Sequence, residues 1–453
     1  MSEVLRSVNP FNNALLGEYP VSSPAEIQAA LGKSRMAFDS WRNSSFSERS
    51  ALLMKLADTL RDRMHDLAEM ITMEMGKPIT QSIGEIDKSA WCCEHYAENL
   101  EQYLQDEAVA TEAKMSFIRN QGRGVVLAIM PWNYPFWQVF RCIVPAIAAG
   151  NSVLLKHASN VPGCAMEIQK VFEDAGAPDG LFQTLLISSA EIPAIVAHRA
   201  VRAVSLTGSE EAGRAVAALA GKYLKPAVLE LGGNNAWIIL EDADRDLAFA
   251  GIMAGRFQNT GQSCIAAKRI LVQESVYDYY VSRLQIALER MRLGDPMEPE
   301  TELGPLARPD LVALLDAQVQ ESIRQGAVKL VGAWGEGNLY RPTLLHNVRP
   351  GMRVFEEETF GPVLGLTPVK DLAQAMEWTN ASNMALGTAI FTKDTERVLA
   401  NSNLLEEPMI FLNSIVRSDP RLPFGGFKDS GYGRELGKDG IMQFVNRQTI
   451  FVA

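Results

Sequence analysis

Cys264 ends the stretch Phe257-Gln-Asn-Thr-Gly-Gln-Ser-Cys264, a polar run with a glycine in it. A thiolate is a strong nucleophile, and a glycine-containing loop lets backbone and thiol come close to a ligand. The other four cysteines, Cys92, Cys93, Cys142 and Cys164, sit in apolar or helix-like contexts, where cysteine behaves as a small buried hydrophobe. Glu230 stands 34 positions before Cys264, in Val228-Leu-Glu230-Leu-Gly-Gly233. A carboxyl between leucines loses water, which raises its pKa toward that of a useful base; a solvated acid at a turn fits the same residues. Asn133, in Pro131-Trp132-Asn133-Tyr134-Pro135, offers an uncharged amide donor suited to an oxyanion. Asparagine beside proline is also ordinary turn chemistry. Thr207-Gly208-Ser209 opens a predicted helix at 210–223. The free N–H groups there suit a phosphate, and Ser209 equally suits a plain helix cap. No Gly-x-Gly-x-x-Gly fingerprint accompanies the turn.

These residues need elements to hold them. Short apolar runs at 124–130, 152–156, 181–187 and 203–206 read as strands buried on both faces. Helical patterns at 136–149, 161–175 and 210–223 separate them. Such alternation predicts a parallel sheet with right-handed crossovers, and ligands bind such sheets beyond the carboxyl ends of the strands. Asn133 and the 207–209 turn fall at such ends. A second series begins with a strand at 236–240 and a helix at 245–256. Strands at 269–272 and 328–331 and helices at 276–292 and 309–325 continue it, so a second α/β domain is expected, with its boundary near Gly232-Gly233. Residues 24–108 read mostly as helices. One starts at Ser23-Pro24-Ala25-Glu26, and Ser45-Phe46-Ser47-Glu48 precedes a single long amphipathic run at 49–74. Residues 110–120 alternate weakly, as a strand or extended arm does.

The chain has 453 residues, 47% hydrophobic and 21% charged, which predicts two or three domains. Its formal net charge of −11, with no lysine or arginine cluster, argues against a nucleic-acid surface. Five irregularly spaced cysteines suit a reducing compartment. Five scattered histidines and no Cys-x-x-Cys pair give no expectation of a metal. The apolar runs at 125–130 and 143–149 are too short to span a membrane. Residues 1–10 lack a basic start followed by an apolar run. The expectation is a cytoplasmic protein with no membrane contact.

Taken in order, the segments Pro131-Trp132-Asn133, Leu155-Lys156, Leu206-Thr207-Gly208-Ser209, Leu229-Glu230-Leu231-Gly232-Gly233, Asn259-Thr-Gly-Gln-Ser-Cys264, Glu358-Thr-Phe360-Gly-Pro362 and Pro423-Phe-Gly-Gly426 resemble the aldehyde dehydrogenase superfamily across essentially the whole chain. The resemblance implies an α/β architecture. A Rossmann-like cofactor-binding domain would span 1–108 and 122–232, and a catalytic α/β domain 233–424. A small β oligomerisation arm and C-terminal tail would span 109–121 and 425–453. It implies that Cys264 attacks an aldehyde, Asn133 and the Cys264 N–H hold the oxyanion, a nicotinamide takes the hydride, and Glu230 activates water to hydrolyse the thioester. It places Trp132 and Lys156 along the adenosine half of NADP or NAD and Gly208 and Ser209 near the pyrophosphate. Leu231 lies in the cofactor site, Glu358 on the nicotinamide ribose and Phe360 beside the ring. Many relatives that prefer NAD carry a glutamate where this chain has Ser159. A serine there, with Lys156 near, should tolerate a 2′-phosphate. Ala266 stands where some relatives have a second cysteine, so no local disulfide switch is expected. A homodimer or homotetramer also follows by resemblance.

Asn133, Trp137 and Arg141 are spaced i, i+4, i+8 and share one face if a helix starts near Asn133. Arg141 would then bind a terminal carboxylate on the substrate, or stand in a structural ion pair. Ser418, in Arg417-Ser-Asp-Pro-Arg421, adds a polar donor. The runs 136–141 and 418–423 are closely similar to the short succinate-semialdehyde dehydrogenases of bacteria, with Trp137, Arg141, Ser263 and Ser418 as substrate contacts. Broad aliphatic aldehydes, lactaldehyde and glutarate semialdehyde are the alternative substrates. Glu230 argues against a CoA-acylating enzyme, and with Cys264 it argues against a non-catalytic scaffold.

Overall fold

The computed structural model describes residues 4–453, so the first three residues of the 1–10 stretch lie outside it. Two serine capping boxes start the helical N-terminal third. Ser23 caps Pro24–Trp41 and Ser45 caps Phe46–Asp62, with Glu26 and Glu48 reaching back to the cap N–H groups. The run expected as one helix at 49–74 is two, Phe46–Asp62 and Met64–Met75, broken at Arg63. The Arg63 side chain leaves the break to pair with Glu167 and Asp174. Apolar spacing continues across the break, so periodicity gives no sign of it. Ile79–Leu104 completes the helical layer.

The first sheet has six strands in the order Gly431–Tyr432, Ala227–Glu230, Val201–Thr207, Val125–Met130, Ser152–His157 and Phe182–Thr184. All pair in parallel except Gly431–Tyr432, which joins the edge antiparallel. The chain runs from Val125–Met130 outward to one side and then returns to the other. The order therefore reverses between Val125–Met130 and Val201–Thr207, and a crevice opens at their carboxyl ends. The last strand is shorter than the 181–187 expected. Leu185 still bonds the Leu155 carbonyl at 2.8 Å, and the ladder then ends.

The second sheet has seven strands, ordered Val328–Val331, Thr343–His346, Val363–Val369, Arg269–Gln273, Ala236–Ile239, Thr388–Phe391 and Ile410–Leu412. Only its Val328–Val331 edge is antiparallel. Separate apolar clusters cover this sheet's two faces, Trp237 and Phe391 anchoring one and Tyr340 and Phe355 the other. A third, antiparallel sheet joins Met115–Gly122 to Glu107–Ala108 and to Val445–Val452. The chain beyond 425 is thus shared. Phe427–Lys428 pairs with Met384–Ala385, Gly431–Tyr432 extends the first sheet and Val445–Val452 builds the third. Among the described residues no helix is long and apolar enough to cross a membrane.

Candidate active site

Cys264 is reached through a strained approach. Asn259, Thr260 and Gly261 hold φ of 52°, 53° and 74° in succession. Left-handed backbone at two non-glycine residues persists only where the surroundings enforce it. Here the Asn259 amide donates to the Asn133 carbonyl at 2.8 Å and to the Gln262 carbonyl at 3.0 Å. Thr260 bonds the Gly304 backbone. The Cys264 carbonyl is fixed by the Asn235 amide at 2.5 Å and the Lys268 ammonium at 2.8 Å. The thiol is half-buried and opens on a cavity of about 330 Å³. Burial pushes its pKa up, Arg141 and Lys268 pull it down, and Glu358 and Glu230 oppose them.

Asn133 lies in the loop after Val125–Met130. His157, neutral because burial lowers its pKa to about 4, holds that loop by a hydrogen bond to the Pro135 carbonyl at 2.9 Å. The Asn133 amide gives one N–H to the Gln262 carbonyl at 3.2 Å. An amide has two, so one remains to donate. The helix that follows is Trp137–Ala148, and its start differs from the expectation. Asn133 is four residues outside it, so only Trp137 and Arg141 share a face. Glu85, on Ile79–Leu104, supplies what the helix start lacks. Its Oε1 accepts from the N–H groups of Phe136 and Trp137 at 2.8 and 3.0 Å, and its other oxygen pairs with buried Lys77.

Arg141 lines the cavity, but its guanidinium is not free. It is ion-paired with Glu435 and stacked over Phe424 at 4.6 Å. The structural-pair reading of Arg141 is therefore realised. Sequence alone missed Glu435, which lies 294 positions away. Glu230 is 2% exposed, and neither of its carboxyl oxygens has a hydrogen-bond partner. It stands outside the cavity lining, and a side-chain carbon placed on Gly425 would lie 2.8 Å from its Oε1. Burial pushes its pKa well above the ordinary carboxyl value; Glu435 adds to this, and Arg141 and Arg434 oppose it. A carboxyl whose proton affinity is raised in this way is a stronger base once it is ionised.

Trp137, Ser263 and Ser418 all line the cavity. Ser418 Oγ accepts from Trp137 Nε1 at 3.0 Å and from Lys88 Nζ at 2.8 Å. Lys88 is a second residue the sequence reading missed, and it also lines the cavity.

At the sheet's carboxyl ends, Lys156 is the penultimate residue of Ser152–His157 and has no hydrogen-bond or ion-pair partner among the described residues. Burial lowers its pKa, and no carboxylate stands near enough to offset that. An unpaired, half-buried ammonium beside exposed Ser159 fits a phosphate. Ser209 caps Glu210–Lys222, accepting from Ala212 N–H at 3.3 Å, and Gly208 N–H bonds the Glu230 carbonyl. Leu231 is buried against Gly213. Trp132, expected along the adenosine half, meets Phe360 edge-on, 5.8 Å between centroids. Glu358 is already engaged. Its Oε1 pairs with Lys268 and accepts from Gly233 N–H at 3.1 Å, which leaves Oε2 as the free acceptor.

A model of the aldehyde dehydrogenase family matches residues 1–450. The chain belongs to the aldehyde dehydrogenase family. It is an oxidoreductase of mixed α/β fold. It is 44% identical to a probable NADP-dependent succinate-semialdehyde dehydrogenase of Synechocystis, over 99% of this chain and 100% of that protein. It is 42% identical to the NAD(P)-dependent succinate semialdehyde dehydrogenase Sad of Escherichia coli, over 98% and 97%. The crystal structure of succinic semialdehyde dehydrogenase from Streptococcus pyogenes with NADP superposes with a TM-score of 0.96 at 34% identity, covering 99% of each chain.

Proposed function

We propose that this aldehyde dehydrogenase oxidises succinate semialdehyde to succinate with NADP. The observation that carries the reading is the cavity itself. Cys264 opens into a space whose lining also holds Lys88, Arg141 and Ser418, so an aldehyde bearing a carboxylate meets cationic and hydroxyl donors. An uncharged aldehyde leaves those groups unsatisfied. The names of the relatives agree with this reading.

The chain's residues divide the work. Cys264 Sγ, as thiolate, attacks the carbonyl carbon, and the carbonyl oxygen takes up the negative charge. The remaining Asn133 N–H and the Cys264 backbone N–H are the donors for the oxyanion. NADP, when bound, supplies the hydride acceptor that converts the thiohemiacetal to a thioester. Lys156 and Ser159 would hold its phosphate, Ser209 and Gly208 would border the pyrophosphate, and Glu358 Oε2 would take a ribose hydroxyl. Trp132 and Phe360 form an aromatic wall. Glu230 then takes a proton from water, which attacks the thioester, and Cys264 leaves as thiolate.

The same reading puts the cofactor domain at 1–108 and 122–232, the catalytic domain at 233–424, and the arm and tail at 109–121 and 425–453. The arm serves a homodimer or homotetramer in the cytoplasm. Steady-state NADPH formation from succinate semialdehyde, beside butanal and glutarate semialdehyde, tests the substrate. A kcat/KM for succinate semialdehyde no higher than that for butanal would refute it.

A further inference from the structure

Lys268 stands just before Arg269–Gln273, and its side chain is sealed from solvent. All three N–H groups of its ammonium are used. They go to the Gly233 carbonyl, to the Cys264 carbonyl at 2.8 Å and to Glu358 Oε1. The acceptors come from three separate stretches of chain: the Gly232-Gly233 turn, the nucleophile's own residue and the Glu358–Phe360 segment. Glu358 fits there because Gly232 has no side chain; a carbon placed on it would strike Glu358 Oε2. Gly233 N–H joins Lys268 on Oε1 at 3.1 Å. Arg256, also buried, donates to the Thr359 carbonyl at 3.0 Å and holds the same segment. Burying an ammonium is costly, and an uncharged amide could fix carbonyls as well. The charge itself therefore has work to do at this place.

We infer that Lys268 is a positioning residue for the reaction: it sets its charge at the nucleophile's own carbonyl to support the Cys264 thiolate, and Glu358 moderates that charge. The assignment rests on the roles proposed for Cys264 and Glu358. The groups facing the thiol are Arg141, Lys268, Glu358 and Glu230, with Tyr134 kept protonated by burial beside them. Burial raises the thiol pKa; of the charges, Arg141 and Lys268 lower it, and Glu358 and Glu230 raise it. Arg141 is paired with Glu435, whereas Lys268 bonds the Cys264 residue directly. On Lys268 itself burial favours the neutral amine, Glu358 and Cys264 favour the ammonium, and Arg256 opposes them. Thiolate and carboxylate thus share one cation.

The test is the pH dependence of alkylation by iodoacetamide in the full-length enzyme without substrate, mapped to Cys264 by mass spectrometry. The plateau at high pH reports access to the thiol, and the midpoint reports its ionisation. Lys268→Met should move the midpoint to higher pH and slow alkylation near neutral pH about 3- to 10-fold, the effect of one nearby charge. Glu358→Gln should move the midpoint the other way, because Lys268 then acts unopposed. Lys268→Met/Glu358→Gln removes both charges and should fall between the two, and it keeps the test decisive if Lys268→Met alone does not fold. An unmoved midpoint in either single variant overturns the assignment, as does a shift of both in the same direction, which marks loosened structure. If Cys264→Ser keeps its dehydrogenase activity, the proposed nucleophile fails instead, and the alkylation profiles are read independently of that result.

Discussion

Arg141 and Glu435 form an ion pair sealed from solvent, their side chains 2% and 0% exposed. Glu230 stands close enough for both to act on its titration. Glu435 raises its pKa and Arg141 lowers it. The general base is therefore tuned by a pair that does not itself touch water.

Glu435→Gln removes a like charge from Glu230 and frees Arg141 to act on it. Both changes lower the Glu230 pKa, so the carboxylate forms at lower pH. The acid limb of the pH–kcat profile should move to lower pH under conditions where thioester hydrolysis limits turnover. A limb that stays in place contradicts the coupling. Breaking a buried pair also destabilises by about 3–5 kcal/mol, to be read as a lower denaturation midpoint.

Ser159→Glu should turn the enzyme away from NADP. A carboxylate at this exposed turn repels a 2′-phosphate and competes for Lys156, which has no other partner. The kcat/KM with NADP should drop at least about 10-fold while that with NAD holds or rises. In the unmodified enzyme, a preference for NAD above about 100-fold, or ~2.7 kcal/mol, would contradict the role given to Ser159.

Glu85→Gln separates charge from shape at the start of Trp137–Ala148. The glutamine can still accept from the Phe136 and Trp137 N–H groups, but Lys77 loses its buried counter-ion. The expected cost is about 3–5 kcal/mol of stability. Glu85→Ala should cost more, because the two N–H groups are orphaned as well. Urea unfolding of both variants checks the order.

The sequence made the strand ends legible, because continuous apolar runs followed by polar turns have few other readings. Asn133, Glu230 and the 207–209 turn are legible that way, whereas Cys264 stands out as the one cysteine in a polar, glycine-containing run. The resemblance then joined them into one mechanism. What stayed hidden are pairings between distant positions. Lys88 meets Ser418 across 330 residues and Lys268 meets Glu358 across 90. No local pattern encodes such contacts. The start of Trp137–Ala148 was misplaced for a related reason: its cap is Glu85, from another helix. Likewise, Arg63 gives no periodic signal of the break it makes, since its partners lie on Pro162–Asp174.

The central claim is that Cys264 carries the acyl group and Glu230 releases it. Glu230→Gln should still form the thioester and fail to hydrolyse it. Incubating that variant with NADP and succinate semialdehyde, then mapping the modified peptide by mass spectrometry, reads this directly. The account predicts a succinyl thioester on Cys264, formed in near-equal amount to the enzyme together with one burst of NADPH. Sustained turnover with Cys264 unmodified, or an acyl group on another residue, would contradict it.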